Sequence, residues 1–311
     1  MIIVARQGSG ASLFTSLLVN TAVNRSVEDS GRNFRYYAEP EAVNAVGKVL
    51  SSLNSGSWPT DENREAVRSV LSRSGLHFGF RTSGRFSPAV WKSSFNTVEL
   101  LLQSVPIKEG ATTSSVSTDA SVNIRSTSAG LATPSKSGAL ILLLSAEALS
   151  EEQDLAQSGH DGIRDSDRFF AGLILSVALR RRRETRRLSL FIVLTKFDKA
   201  NPELAAKISE GLGHGQPSDR VKSAREFVSN FFPETLSTYE QSATSNIDLD
   251  SAQLFACGIA TTTDDLGTQR PKLRSAKDGT LGVDYTSAEY NSLINSLAKL
   301  SGIIGTPASS R

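Results

Sequence analysis

Two short runs without a polar face constrain this chain more than anything else in it. Ala139 to Ser145 (A-L-I-L-L-L-S) and Leu188 to Leu194 (L-S-L-F-I-V-L) are apolar almost throughout. A strand that is apolar on both sides belongs inside a parallel sheet with both faces covered. The longest strongly apolar stretch, Ala139 to Leu144, falls far short of the roughly 20 residues that a membrane-crossing helix needs. Ile2 to Ala5 is β-branched and apolar and reads as a further buried strand. The turn Arg6-Gln7-Gly8-Ser9-Gly10-Ala11-Ser12 follows, and then Leu13, Leu17, Leu18 and Val23 recur at helical spacing up to about Asn24. Strand, glycine turn and helix form the first half of an α/β unit.

The remaining chain fits that frame. Ser26 to Tyr37 is largely polar and reads as a loop, and Pro40 to Leu53 reads as a helix with Ala42, Val43, Val46, Val49 and Leu50 on one side. Asn54 to Thr60 is a turn cluster, and Arg64 to Leu71 is a short helix or connector. Leu76 to Arg81 alternates apolar and polar residues, and Thr97 to Val105 is a second strand; together they suggest a hairpin-like pair at a sheet edge. About half of Gly110 to Gly138 is Ser or Thr, with no aromatic residue. Such a segment has too little apolar surface to offset its ordering entropy and is expected to be a long flexible insertion. Helices are expected over Asp167–Arg183, Ser223–Phe232 and Ser287–Ile304, and a last short strand over Leu254–Cys257. The expectation is one enlarged α/β domain over residues 1–311, a mostly parallel central sheet with helices on both faces.

Composition removes several function classes. Lys and Arg number 34 against 32 Asp and Glu, a net charge of +2, so no bulk charge argues for nucleic acid or an anionic membrane. Cys257 is the single cysteine, which excludes an internal disulfide and a cysteine-rich zinc site. His77, His160 and His214 lie far apart, in no metal-ligand spacing. The chain opens on Met1-Ile2-Ile3-Val4-Ala5 without a signal-peptide pattern, so a soluble cytoplasmic protein is expected. The basic run Arg180 to Arg187 reads as a solvated helix end, with an acidic partner, a phospholipid surface or nucleic acid as other readings.

Two segments carry chemistry. A P-loop is strand, G-x-x-x-x-G-K-[ST], helix; its backbone N–H groups cradle phosphates, its lysine reaches the β/γ oxygens and its hydroxyl binds Mg²⁺. Here Gly10 and Ser12 stand at their places, Ala5 replaces the first glycine and Ala11 the lysine. The second segment is Leu190 to Asp198, an apolar strand ending in Thr195-Lys196-Phe197-Asp198. This T-K-x-D resembles the [NT]-K-x-D motif of P-loop GTPases of the Ras-like, TRAFAC type. In that family the aspartate accepts from the two donors on the guanine edge, and the lysine stem packs on the base.

The resemblance extends to the order of elements and covers roughly residues 1–305. It implies a GTPase-like fold with insertions and a GDP/GTP site with Mg²⁺ formed by Gly8, Ser9, Gly10, Ala11, Ser12, Leu13, Thr195, Lys196, Asp198, Cys257 and Gly258. Ser12 and Thr60 would be the metal-side hydroxyls, Thr60 lying after Trp58-Pro59 where switch I belongs. The strand Val98 to Gln103 should run into D-x-x-G but reads Ser104-Val105-Pro106-Ile107, lacking both the Asp and the Gly. The Ser/Thr-rich stretch follows in the switch II position. The resemblance therefore implies a nucleotide-binding switch with impaired or absent hydrolysis, a protein effector or regulator as partner, and pairing of two copies. Two other readings remain open: a pseudo-GTPase scaffold that binds no nucleotide, and a different doubly wound α/β protein.

Overall fold

The computed structural model describes residues 2–6, 8–30, 33–81, 95–105, 138–146, 162–181, 188–196, 225–241, 247–275, 279 and 281–300. In chain order these form β1 (Ile2–Arg6), α1 (Ala11–Glu28), β2 (Phe34–Tyr37), α2 (Pro40–Asn54), α3 (Asp61–Arg73), β3 (Leu76–Arg81), β4 (Phe95–Val105) and β5 (Gly138–Ser145). Helix α4 (Gly162–Arg181), strand β6 (Leu188–Thr195), helix α5 (225–231), helix α6 (Pro233–Gln241) and strand β7 (Ile247–Ala256) come next. The short strands β8 (Thr261–Thr263), β9 (Gln269–Pro271), β10 (Leu273–Ser275) and β11 (Leu281–Val283) precede the last helix, α7 (Ser287–Leu300). The chain divides into two compact units: Ser12–Leu102 with Ala260–Arg311, and Ile2–Ala11 with Gln103–Ile259.

The second unit is the α/β part. Its four strands are parallel in the order β1-β5-β6-β7, with Val4 opposite Leu142, Leu142 opposite Ile192, and Ile192 opposite Leu254. Leu140, Leu142 and Leu144 of β5 and Leu190, Ile192 and Leu194 of β6 share one face and pack with Phe169, Phe170, Leu173, Ile174 and Val177 of α4. The alternate residues Ile141, Leu143, Phe191 and Val193 are buried as well. That two-sided burial is what an uninterrupted apolar run demands. Phe227 and Val228 of α5, together with Phe232, extend the same core. The expected helix over Ser223–Phe232 is observed from 225 to 231, and Pro233 then opens a second helix, α6, instead of ending the first. Proline suits the first turn of a helix because its missing N–H is not needed there. The caps of α6 come from Asp167 of α4, whose carboxylate accepts from the N–H groups of Glu234 (2.9 Å) and Thr235 (2.7 Å).

The first unit joins helices to antiparallel strands in the order β2-β3-β4, so the expected β3–β4 pair forms, but β2 and not β3 takes the outer place. The segment read as a loop, Ser26 to Tyr37, is not one: α1 runs on to Glu28 and β2 occupies Phe34–Tyr37. Aromatic pairing across β2 and β3 accounts for it, with the Phe34 ring 5.3 Å from Phe80 and the Tyr36 ring 5.9 Å from Phe78. Asp29 fixes the entry to β2 by accepting from the N–H groups of Asn33 and Phe34, which hold its carboxyl below the usual carboxylate range. Tyr290 of α7 stacks on Phe14 of α1 at 5.5 Å, and the Tyr285 hydroxyl meets Asn20 and Thr21. The four short strands form two hairpins, β8–β9 and β10–β11. The Ser/Thr-rich insertion over 110–137 lies outside the described residues. No described helix is long and apolar enough to cross a membrane.

Tyr36 offers a test of this core. Its hydroxyl is buried with no hydrogen-bond partner among the described residues, and burial pushes its phenol well above the ordinary tyrosine value. A raised folded-state pKa contributes stability below the unfolded value of about 10 and loses it as pH climbs beyond. Tyr36→Phe is expected to leave stability at pH ~7 unchanged or raise it by up to about 1 kcal/mol. Above pH ~10 the variant should lose less stability than the parent. Urea titrations at both pH values check this, and a clear loss at neutral pH would contradict it.

Candidate functional site

The carboxyl ends of β1, β5, β6 and β7 lie along one edge of the parallel sheet, the edge where open α/β sheets bind ligands. At the end of β1 the Ser9 N–H donates back to the Arg6 carbonyl at 3.1 Å, closing a tight turn. Gly8 and Gly10 both adopt left-handed backbone, φ +82° and +76°, with Ser9 of ordinary hand between them. Left- and right-handed residues in alternation point successive N–H groups to one side and make an anion-binding concavity. Space around Gly8 is open, since a Cβ there would meet nothing within 4 Å. The turn runs directly into Ala11, the first residue of α1. The first amides of a helix have no intrahelical acceptor, so the segment has the polarity to receive an anion.

The end of β6 grips this turn from the side. Thr195 Oγ1 lies 2.5 Å from the Ser9 carbonyl and 3.2 Å from the Leu144 carbonyl, its one proton directed to the nearer oxygen. Lys196 stretches its stem along Gly10: a Cβ on Gly10 would stand 3.5 Å from Lys196 Cγ and 3.6 Å from Cε. Lys196 itself is left-handed at φ +53°, uncommon for a residue with a long side chain. Such backbone strain persists where the surroundings fix it and is enriched at ligand sites. The next strand closes the edge. The Cys257 N–H donates to the Leu194 carbonyl at 2.7 Å, and Cys257 and Gly258 are buried beyond β7. Arg6 Nη1 donates to Ser166 Oγ on α4 at 2.6 Å, which ties the base of the turn to that helix.

Of the residues singled out by sequence, the structure thus brings together Gly8, Ser9, Gly10, Thr195 and Lys196, with Cys257 and Gly258 on the neighbouring strand end. Ser9 is buried, and its hydroxyl has no hydrogen-bond partner among the described residues. Ser12, Leu13 and Thr60 belong to the first unit. There Ser12 Oγ donates to the Arg64 carbonyl at 2.7 Å, and Thr60 Oγ1 accepts from the Asn63 N–H as the N-cap of α3. That capping role has a sequence signal, a threonine followed directly by Asp61 and Glu62. Asp198 lies outside the described residues, as do Pro106 and Ile107. Sequence reading missed the Arg6–Ser166 tie and the left-handed Lys196, for which no local pattern exists. Among the described residues, no group of three or more His, Cys, Asp or Glu side chains could hold a metal ion. No protein-family model matches the chain, and no curated protein matches it in sequence.

Proposed function

We propose that the chain binds a guanine nucleotide in a GTPase-like site and hydrolyses it poorly or not at all. One observation carries the reading: the Thr195-Lys196 strand end is clasped to the Gly8-Ser9-Gly10 turn, 186 residues away in sequence. Two separately weak motifs meet at the sheet edge suited to a ligand. In this reading the amides of Gly8 through Ala11 face the phosphates, the Lys196 stem lies along the base, and Asp198 accepts from the guanine edge. Magnesium enters through the nucleotide, because it takes its ligands chiefly from phosphate and water.

Phosphoryl transfer rests on positioning and on charge placed around the transferred group. Ala11 withholds the lysine charge, and Ser104 and Ile107 stand where the aspartate and glycine of D-x-x-G would act. Diphosphate binding relies more on backbone N–H groups and a helix terminus, which this chain keeps. A protein effector or regulator as partner is part of the same proposal. The second reading, a scaffold without nucleotide, draws on Ser12 and Thr60, whose hydroxyls already serve α3.

Titration calorimetry with GDP, GTP and ATP, each with Mg²⁺, separates these readings. GDP is expected to bind at least as tightly as GTP, and guanine to be preferred over adenine by at least about tenfold, the worth of a hydrogen bond to a charged acceptor. Asp198→Ala should erase that preference. Equal binding of ATP, or GTP far tighter than GDP, would overturn the proposal, and absence of all nucleotide binding would favour the scaffold.

A further inference from the structure

We propose that the outer edge of β2 joins two copies of this chain, the β2 strand of each pairing antiparallel with that of the other. Among the described residues, β2 is hydrogen-bonded to β3 on one side and to no strand on the other. An edge of this kind presents backbone N–H and C=O groups that a further strand can pair with. Its pairing with β3 runs residue for residue from Phe34–Phe80 to Tyr37–His77, and the strand contains no proline. Two of the devices that keep an edge from being paired, a bulge and a proline, are therefore missing. Side chains alternate along a strand. Phe34 is buried and Tyr36 half-buried on one face, while Arg35 and Tyr37 are exposed on the other, Tyr37 at 66%. Exposed tyrosine and arginine are the side chains most used where protein surfaces meet.

The residue pattern selects a second copy as the occupant. Two identical strands laid antiparallel are related by a two-fold axis, so residue i meets j wherever j meets i. With the side-chain faces matched, two registers give this four-residue strand its greatest overlap. One sets Arg35 against Arg35 of the second copy, and like charges directly opposite are destabilising. The other centres on Tyr36 and sets Arg35 against Tyr37 of the second copy, once on each side of the axis. A guanidinium against a tyrosine ring is attractive. The exposed face of β2 is thus complementary to itself in one register, which a strand of unrelated sequence has no reason to be. The strand is short, so the contact is small and the pairing weak. It needs no nucleotide and does not rest on the guanine-site reading.

The test is sedimentation velocity on the full chain without nucleotide, from ~1 to ~300 μM. A dimer is expected to grow in with concentration, half-formed near ~100 μM. Arg35→Glu should weaken it at least about tenfold while thermal unfolding stays unchanged, because the site is exposed. Cysteine cross-linking reads the register. An equal mixture of Arg35→Cys and Tyr37→Cys chains should form a disulfide-linked dimer at least about fivefold faster than either variant alone. Directly opposite residues stand ~4.5–5.5 Å apart, within disulfide reach, whereas each variant's own cysteines would lie on the ~7–8 Å diagonal. The native Cys257 is buried and does not compete. A monomer throughout the range, Arg35→Glu chains that pair as tightly as the parent, or Arg35→Cys alone cross-linking as fast as the mixture would each overturn the proposal. The cross-linking arm keeps the test decisive should Arg35→Glu misfold.

Discussion

Asp167→Ala is expected to remove about 3 kcal/mol of stability, measured by urea unfolding with an unchanged slope. Asp167 is 4% exposed, yet its carboxylate is satisfied: one oxygen accepts from the Glu234 N–H and the other from the Thr235 N–H. Its own carbonyl accepts from Thr235 Oγ1 at 3.0 Å. Helix α6 opens with proline, so these two amides are the first donors it presents. Alanine would leave both without an acceptor beside a fully buried Thr235. Each orphaned donor costs about 1–3 kcal/mol, partly offset because a carboxylate is no longer desolvated. Asp167→Asn keeps one acceptor oxygen and should recover about half of the loss. A loss below about 1 kcal/mol would mean that water reaches the start of α6 once the carboxylate is gone. The effect extends toward the candidate site, because the preceding residue, Ser166, holds Arg6 at the base of the turn.

The parts of the fold that announce themselves in sequence are those whose burial is symmetric. β5 and β6 have no wet side, so their apolar runs point to a central parallel strand without any knowledge of neighbours. β2 gives no such signal: Phe34-Arg35-Tyr36-Tyr37 is four residues long, and only the aromatic rings of β3 make it a strand. β7 begins at Ile247, seven residues ahead of the expected Leu254, because its first half, I-D-L-D-S-A-Q, carries charge in a strand position. Proline at 233 reads as a helix stop unless the capping carboxylate of Asp167, 67 residues before the Glu234 amide it accepts from, is known. The hairpins between Thr261 and Val283 are three-residue strands held by turn chemistry, as where Asp264 accepts from the N–H groups of Leu266 and Thr268.

The candidate site divides along the same line. Gly8-Ser9-Gly10 and Thr195-Lys196 are legible as fragments because each follows an apolar strand at the end where ligands bind. Their junction through Thr195 Oγ1 and Ser9 is a tertiary fact that no local pattern encodes. Thr60 illustrates the converse. Its position after Trp58-Pro59 suits a switch threonine, while its hydroxyl accepts from Asn63 as an ordinary helix cap. A motif letter in the right order is compatible with either use, and only the atom it faces separates them.

Ala11→Lys should raise GTP affinity about 100-fold while lowering the stability of the nucleotide-free protein by up to about 1 kcal/mol. The two effects have one origin. Ala11 is 6% exposed and is the first residue of α1, where a helix carries its partial positive charge. A lysine there repels the empty helix end, and its stem must lie along the turn to carry the ammonium outward. With a triphosphate bound the same ammonium meets β/γ oxygens, and a charge-assisted contact of this kind is worth about 1.5–3 kcal/mol. Ala11→Met, of similar length without charge, should show no gain in affinity. Hydrolysis should recover far less than binding, because Ser104 and Ile107 still lack the groups that position metal, water and γ-phosphate. Calorimetry with GTP and GDP, thermal unfolding without ligand and a phosphate-release assay read the three quantities separately. A folded Ala11→Lys protein whose GTP affinity equals that of the parent would show that no phosphate sits at the start of α1. The turn between β1 and α1 would then be a strained connection between elements, and the clasp from Thr195 a purely structural bond.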